Sequence, residues 1–320
     1  MPTGSRRNRN VLAFVLALAA GSLAAYLYVN FKATRLVEGA FAEALGRPVS
    51  VRALGVGAAS GITLYGLEIK NPPGARARNI LEIKSISFTP DLARLIRGEA
   101  VFYYTGIKGP VLYLEKTADG IWNFEPVIQH LKRRRPRKFT LERLVIKGGR
   151  IVLPGGKAEL NVRDAELRQV SSISPGPSSF MFEADDGKGI LIRGSGGARL
   201  FAPRPGVSGK VSFKAARLDE YVKPPAGLEV RDASASGGAG FTYSDGAVSA
   251  RLDVRLTGVK SGYGKGGRLD ALFAGEAFYL ADKDTLGLVR AELEVPGLAS
   301  ARLKGSVTDL RGRPEAGLML

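Results

Sequence analysis

The sequence predicts a mainly β protein, in which a membrane helix and an amphipathic helix lead into a long antiparallel sheet interrupted by one or two short helices. Three observations carry this reading. An uncharged apolar run stands close to the N-terminus. Beyond Pro48 the apolar residues recur with a period of two, the repeat of a strand, where a helix would repeat every 3.6. The stretches with that period are separated by Gly, Pro, Asn and Asp, the residues that turn a chain.

Residues 1–10 read as a cytoplasmic tail holding Arg6, Arg7 and Arg9, and residues 11–29, "VLAFVLALAAGSLAAYLYV", read as a transmembrane helix. At 1.5 Å per residue that run spans roughly 28 Å, about the hydrocarbon thickness of a bilayer. Val11, Leu12, Phe14, Leu16, Leu18 and Leu23 supply the lipid-facing surface, and Tyr26 and Tyr28 stand where an interfacial aromatic belt would lie. The arginines ahead of the run keep the tail in the cytoplasm and send the rest across. A cleaved signal peptide would use Ala17-Leu18-Ala19 as its small-x-small site, but the apolar run continues well past it to Val29. "SRRNRN" lacks the apolar pair that follows the arginines of a twin-arginine signal.

Residues 30–46 read as an amphipathic helix, because Leu36, Val37, Ala40, Phe41, Ala44 and Leu45 recur at helical spacing and Gly46 and Pro48 stop it. Residues 47–131 follow as a first β module, with strands in "GITLYGLEIKN", "ILEIKSISFTP", "EAVFYYTGIKG" and "PVLYLEK". A short helix, "DLARLIRG", interrupts them, with Asp91 as its N-cap and Gly98 as its terminator. Asp119-Gly120 closes a hairpin, after which Trp122 and Phe124 anchor a short helix through Leu131. Residues 132–138, "KRRRPRK", form a basic linker, and residues 139–320 continue the sheet from "KFTLERLVIKG" and "GRIVL" onward. Asp186-Gly187 and Asp245-Gly246 mark two of its tight turns.

Many strands alternate cleanly. In "RLDVRLTGV", Leu252, Val254 and Leu256 face one way and Arg251, Asp253, Arg255 and Thr257 the other, which predicts a sheet with one apolar and one wet face. After Lys138 no helical run is long enough to cover the apolar face, apart from short possibilities near Leu218 to Val222. That face must curl upon itself, pack on a second sheet, or hold something else apolar.

Composition excludes several activities. With 47 Lys plus Arg against 30 Asp plus Glu, the formal charge of +17 favours polyanions, anionic lipid headgroups or acidic partners without choosing among them. The absence of Cys removes disulfides, thiolate metal sites and Cys nucleophiles, and a single His, His130, cannot build a multi-histidine metal site. No Ser or Asp neighbours His130 in sequence, so it reads as a surface residue at a helix end. "GYGKGG" from Gly262 fits G-x-G-x-x-G, but the stretch after it reads as strand where a dinucleotide site needs a helix. The basic run has no interleaved aromatics for base stacking and lies across the membrane from nucleic acid, so no nucleic-acid partner is expected. An anionic membrane contact and a plain solvated linker both remain open for it. The reading is therefore of a non-enzyme without cofactor or metal.

The order of these features resembles the AsmA family of bacterial envelope proteins, which are related in fold to the chorein-type bridge-like lipid-transfer proteins. The likeness rests on "EALGRPVSV" after the amphipathic helix and on "GITLYGLEIKNPPGARARNILEIKSISFTPDLARLIRGEAVF", similar to the family's strand, Asn-Pro turn, strand, short helix and return strand. It continues through "IKGPVLYLEKTADGIWNF" and "FTLERLVIKGGRIVL", with Trp122-Asn123 in an order that departs slightly from the family's Asn-Trp or Asn-Leu. It covers roughly Val11 to Leu153.

The resemblance implies a single-pass anchor in the bacterial inner membrane, the bulk in the periplasm, and a long curved sheet forming an apolar groove for phospholipid acyl chains. By strand parity the lining candidates are Ile62, Leu64, Ile86, Phe88, Leu112, Leu114, Leu252, Val254 and Leu256. Ile83 joins them if a bulge near Lys84-Ser85 switches parity, and Tyr65-Gly66-Leu67 can hide a second switch. The implied function is phospholipid transfer between inner and outer membranes. The alternative is an assembly factor that engages other envelope proteins through exposed sheet edges.

Overall fold

A computed structural model describes residue 28 and residues 30–319, apart from 58–60, 118–119, 134–137, 155–157, 222–227, 231, 262–266, 281 and 309–314. Of the anchor residues, Val11, Leu12, Phe14, Leu16, Leu18, Leu23 and Tyr26 lie outside the described residues. Among those described, no helix is long and apolar enough to cross a membrane.

The chain enters through α1, residues 30–45, which stops at Gly46, where φ is +65° and the N–H donates to the Ala42 carbonyl at 2.9 Å. β1 (Val49–Gly57), β2 (Gly61–Lys70) and β3 (Asn79–Pro90) then form an antiparallel meander. α2 (Leu92–Ile96) starts as the sequence predicts, with Asp91 accepting from the Arg94 N–H at 3.1 Å. β4 (Ala100–Tyr113), α3 (Glu125–Arg133) and β5 (Phe139–Val152) follow.

Beyond them come β6 (Glu159–Ser171), β7 (Ser178–Asp185), β8 (Ile190–Arg199), β9 (Gly206–Ala215) and the two-residue β10 (Leu228–Glu229). β11 (Ser234–Ser244), β12 (Ala247–Ser261), β13 (Arg268–Leu280), β14 (Thr285–Val295), β15 (Ala299–Thr308) and β16 (Glu315–Met319) complete the chain. Together they make one 16-stranded sheet that follows chain order, except that β9 pairs directly with β11 while β10 sits beside β12.

The expectation of a wholly antiparallel sheet is corrected at one step, because β5 runs parallel to β4, from Ala100 beside Phe139 to Tyr113 beside Val152. Parallel neighbours need a crossover that returns the chain to the starting end. The stretch from Leu114 through α3 to Lys138 is that crossover, and the Ala100 N–H donates to the Lys138 carbonyl where it arrives. The β4–β5 ladder therefore joins the spans 47–131 and 139–320 into one sheet.

A second correction concerns strand count. "EAVFYYTGIKG" with "PVLYLEK", and "KFTLERLVIKG" with "GRIVL", are single strands, β4 and β5, because Gly109 (φ +58°) and Gly148 (φ +62°) kink a strand where the sequence read a turn. The ladders skip Arg52 and Gly66, Gly66 and Lys84, and Lys84 and Gly109 in succession. Each skip resets the alternation. Hence Leu67 and Ile83 pair with each other on the same face as Leu64 and Ile86, although their numbers have the opposite parity.

The main core lies under the helices. Val51, Leu64, Leu67, Ile69, Ile80, Ile83 and Ile86 are buried together, with Val37, Phe41 and Leu45 of α1 and Val127 of α3 packed on them. α1 also seals the free edge of β1. Asn30 donates to the Leu54 carbonyl and accepts from its N–H, and Glu38 Oε1 accepts the Val51 N–H at 2.8 Å. An edge strand is thereby closed to further pairing.

Candidate functional site

Strand pairing carries one row of side chains across the sheet. It starts at Leu54 of β1 and passes through Leu64, Ile86, Ile107 and Ile146 to Ala165 of β6. From there it continues through Phe182, Gly194, Val211 and Ala239 to Leu252 of β12. Gly275, Ala291 and Leu303 of β15 end it. Every member is aliphatic, aromatic or glycine.

The neighbouring row, one residue along and on the opposite face, has another chemistry. It reads Lys147, Asp164, Glu183, Arg193 and Ser212, then Gly238, Asp253, Ala274, Glu292 and Arg302. Period-two alternation, held in register by hydrogen-bonded ladders, thus sorts the sheet into an apolar and a charged face.

Phenylalanine rings level the apolar face. A Cβ on Gly194 would stand 2.2 Å from Cε1 of Phe182, and one on Gly237 would stand 2.9 Å from Cε1 of Phe213. These rings lie across glycines directly opposite them in the ladder and cover backbone that would otherwise be bare.

What covers this face changes along the sheet. From β1 to β4, α1 and α3 bury it. From β5 onward no described helix lies over it beyond the 3₁₀ turn Leu218–Glu220, whose Leu218 packs with Leu256, Leu269 and the buried Val230, Ala233 and Val259. Among the described residues there is one sheet, whose path starts at β1 and ends at β16 without pairing the two, so it does not close into a barrel. Leu252, Val254 and Leu256 remain half-buried there, and Leu286 and Leu293 are exposed.

The predicted lining residues therefore divide between two environments. Ile62, Leu64, Ile83, Ile86, Phe88 and Leu112 belong to the helix-covered core, where Leu64, Ile83 and Ile86 are buried. Leu114 lies just past β4, its N–H donating to the Val152 carbonyl. Leu252 and Val254 belong to the open stretch, and Leu256 packs with Leu218 in the second cluster. Of the anchor residues only Tyr28 is described; it is exposed, with the Lys32 ammonium 5.1 Å from its ring centroid.

Three open depressions lie on the charged face. The first, about 980 Å³, is rimmed by Arg143, Lys147, Arg193, Lys210 and Arg251 with Asp164, Glu166, Glu183 and Asp253. Two more are lined largely by the same face between β8 and β14. A twisted sheet is concave along one diagonal on either face, so side-chain parity alone does not fix which face is hollowed. The charges there are mostly paired. Arg168 and Arg143 hydrogen-bond Glu166 and hold its carboxyl below the usual range, and Arg193 does the same to Glu183.

Two groups of residues escaped the sequence reading. Asn30 and Glu38 seal β1; with Thr34 between them they make a polar stripe at four-residue spacing, a signal that α1 has a polar partner. His130 docks the two helices, its Nε2 lying 3.0 Å from the Glu43 carbonyl and its ring packed where a side chain on Gly46 would sit. Among the described residues no acidic, His or Cys cluster could hold a metal. "GYGKGG" falls in the connection between antiparallel β12 and β13, and its residues 262–266 lie outside the described set.

No family model, curated protein or solved structure matches the chain.

Proposed function

We propose that the chain is a membrane-anchored carrier of acyl-chain lipid, holding phospholipid tails along the uncovered apolar face between β5 and β15. The observation that carries this reading is the apolar row from Ile146 to Leu303, over which, among the described residues, no second sheet and no helix beyond the 3₁₀ turn at Leu218 lies. An apolar surface of that extent needs an apolar occupant. Each lipid methylene it takes from water is worth about 0.8 kcal/mol.

The AsmA-like order of the N-terminal half supports placing this activity in the bacterial envelope, with residues 11–29 in the inner membrane and the sheet in the periplasm. Strands spaced about 4.8 Å apart give the ladder from β1 to β16 a length on the order of 70 Å, which favours handing lipid to a further carrier over reaching the outer membrane unaided. The seal of α1 on β1 weighs against assembly of envelope proteins through that edge.

The test places a photo-crosslinking amino acid at Val254 or at Asp253 of the full chain in bacterial membranes. These neighbours occupy opposite faces of β12, so a lipid carrier captures phospholipid from Val254 and little from Asp253. Equal capture at both positions, or none at Val254, would sink the proposal.

A further inference from the structure

α2 is built unlike the rest of the fold. Leu92, Leu95 and Ile96 are 64%, 43% and 88% exposed, and no residue of the helix is buried. A five-residue helix that offers three aliphatic side chains to solvent contributes nothing to the core. Arg94 and Arg97 share the same turn; Asp91 accepts the Arg94 N–H and the Tyr103 hydroxyl at 2.8 Å, its Oδ2 lies 3.6 Å from Arg94 Nε in a half-exposed ion pair, and Glu99 follows Arg97 by two residues.

The position of α2 says what meets it. Asn30 of α1 is level with Leu54, and Glu38, about 12 Å further along the helix, is level with Val51. α1 therefore runs against β1, with its N-terminal end toward Gly57. β3 ends and β4 begins at that same end of the sheet, with α2 between them. The exposed Tyr28, Phe31 and Val56 cluster there too, and the Lys138 end of the basic stretch arrives beside Ala100. The apolar run 11–29 feeds directly into this corner.

We infer that the β3–α2–β4 corner docks on the anionic lipid surface of the membrane that takes residues 11–29, with Leu92, Leu95 and Ile96 inserted among the acyl chains and Arg94 and Arg97 at the headgroups. This rests on the reading of residues 11–29 as a membrane anchor. Docking would hold the β1–β4 end of the sheet at a fixed angle to the bilayer, with the later strands stacked away from it.

The chain has no Cys, so a single introduced thiol labels one site. Full-length I96C, Y28C and L298C chains carrying an environment-sensitive fluorophore are reconstituted into vesicles of phosphatidylglycerol and phosphatidylethanolamine containing spin-labelled lipid. Leu298 is 68% exposed at the opposite end of the strands and serves as the control. The expected result is a blue-shifted, quenched label at 96 and 28 and an unquenched label at 298. Arg94→Glu with Arg97→Glu should remove roughly half of the quenching at 96 on anionic vesicles.

An unquenched label at 96 with a quenched label at 28 overturns the docking and leaves the anchor standing. Unquenched labels at both positions overturn the anchor and the docking together. Equal quenching at 96 on anionic and on phosphatidylcholine vesicles overturns the role of the arginines.

Discussion

Phe182 and Gly194 face each other across β7 and β8, and the phenyl ring fills the space that any side chain at 194 would need. Gly194→Ala should therefore displace the ring and destabilise the sheet by about 1–3 kcal/mol, the usual cost of overpacking. Shortening the ring in the double variant Phe182→Ala, Gly194→Ala should recover part of that loss. Gly237→Ala should not be recoverable in this way, because its Cβ would also meet the Asp253 carbonyl at 2.3 Å. Urea unfolding midpoints of the two single variants and of the double variants Phe182→Ala, Gly194→Ala and Phe213→Ala, Gly237→Ala decide the matter. A Gly194→Ala chain as stable as the parent would show that the ring has other places to go.

A polar cluster pins the junction where the crossover leaves β4. Asn123 is fully buried, donating to Asn71 Oδ1 at 2.9 Å and to the Tyr113 carbonyl at 2.7 Å while accepting the Glu115 N–H at 3.3 Å. Asn123→Ala should cost about 2–3 kcal/mol, since it leaves buried polar partners unsatisfied. Trp122 stacks on Phe124 with ring centroids 5.7 Å apart and carries the Lys116 ammonium 5.3 Å from its own ring centroid. Trp122→Ala should have a smaller effect, read as faster tryptic cleavage between Lys132 and Lys138. Cleavage at the parental rate would remove Trp122 as an anchor.

Local chemistry was legible in the sequence and partner choice was not. The alternation at Leu252, Val254 and Leu256 reports its own face, and Asp91 and Gly98 bracket α2 because capping acts within one turn. The parallel β4–β5 step depends on where a distant crossover lands, and no pattern within either strand records that. Gly109 and Gly148 have the positive φ of turn glycines but sit in continuous strands, so composition alone misread them. The N-terminal lining candidates share one face and fall in a helix-covered core. What covers that face is decided by Val37, Phe41 and Leu45 arriving from α1, and strand parity contains no information about a helix laid over it.

The β7–β8 turn carries a pH-sensitive lock. Asp186 Oδ1 accepts the N–H groups of Lys188, Gly189 and Ile190, and its Oδ2 accepts the Tyr221 hydroxyl at 2.6 Å. Burial pushes the carboxyl up, but the Tyr221 bond and the backbone donors together outweigh it and bring the pKa down to about 2. Burial first, and then the same bond, raises the Tyr221 hydroxyl to about 12. A depressed carboxyl stabilises the fold above its unfolded pKa, so this contribution is present above about pH 4 and is lost as pH falls toward 2. The raised phenol contributes below about pH 10 and is lost as pH climbs toward 12. Tyr221→Phe should lower stability at neutral pH by on the order of 1 kcal/mol, allowing for partial exposure, and should start acid unfolding at a higher pH. Hydrogen exchange at Gly189 and Ile190 across pH 2–5 is the direct measurement, and parental protection in the variant would show that the backbone donors suffice.

A charge placed in the apolar row separates lipid binding from folding. Leu252 lies between Ala239 and Gly275 in the ladder, so Leu252→Glu has room for its side chain and disturbs few packing partners. If acyl chains lie along this row, the carboxylate must either enter hydrocarbon or keep water beside it. An uncompensated buried charge costs several kcal/mol. Since about 1.4 kcal/mol is a factor of ten in affinity, bound phospholipid per chain should fall at least about tenfold. Arg251→Glu introduces the same carboxylate one residue away on the opposite face, where its ladder partners are Gly240 and Glu276, and should leave bound lipid near the parental level. Lipid phosphorus per mole of purified chain, together with the melting temperature of each variant, gives the comparison. Because Arg251→Glu changes the charge by −2 and Leu252→Glu by −1, a lipid loss in Arg251→Glu as large as or larger than in Leu252→Glu, at parental stability, would trace the effect to charge, and the apolar row would lose its claim to the lipid.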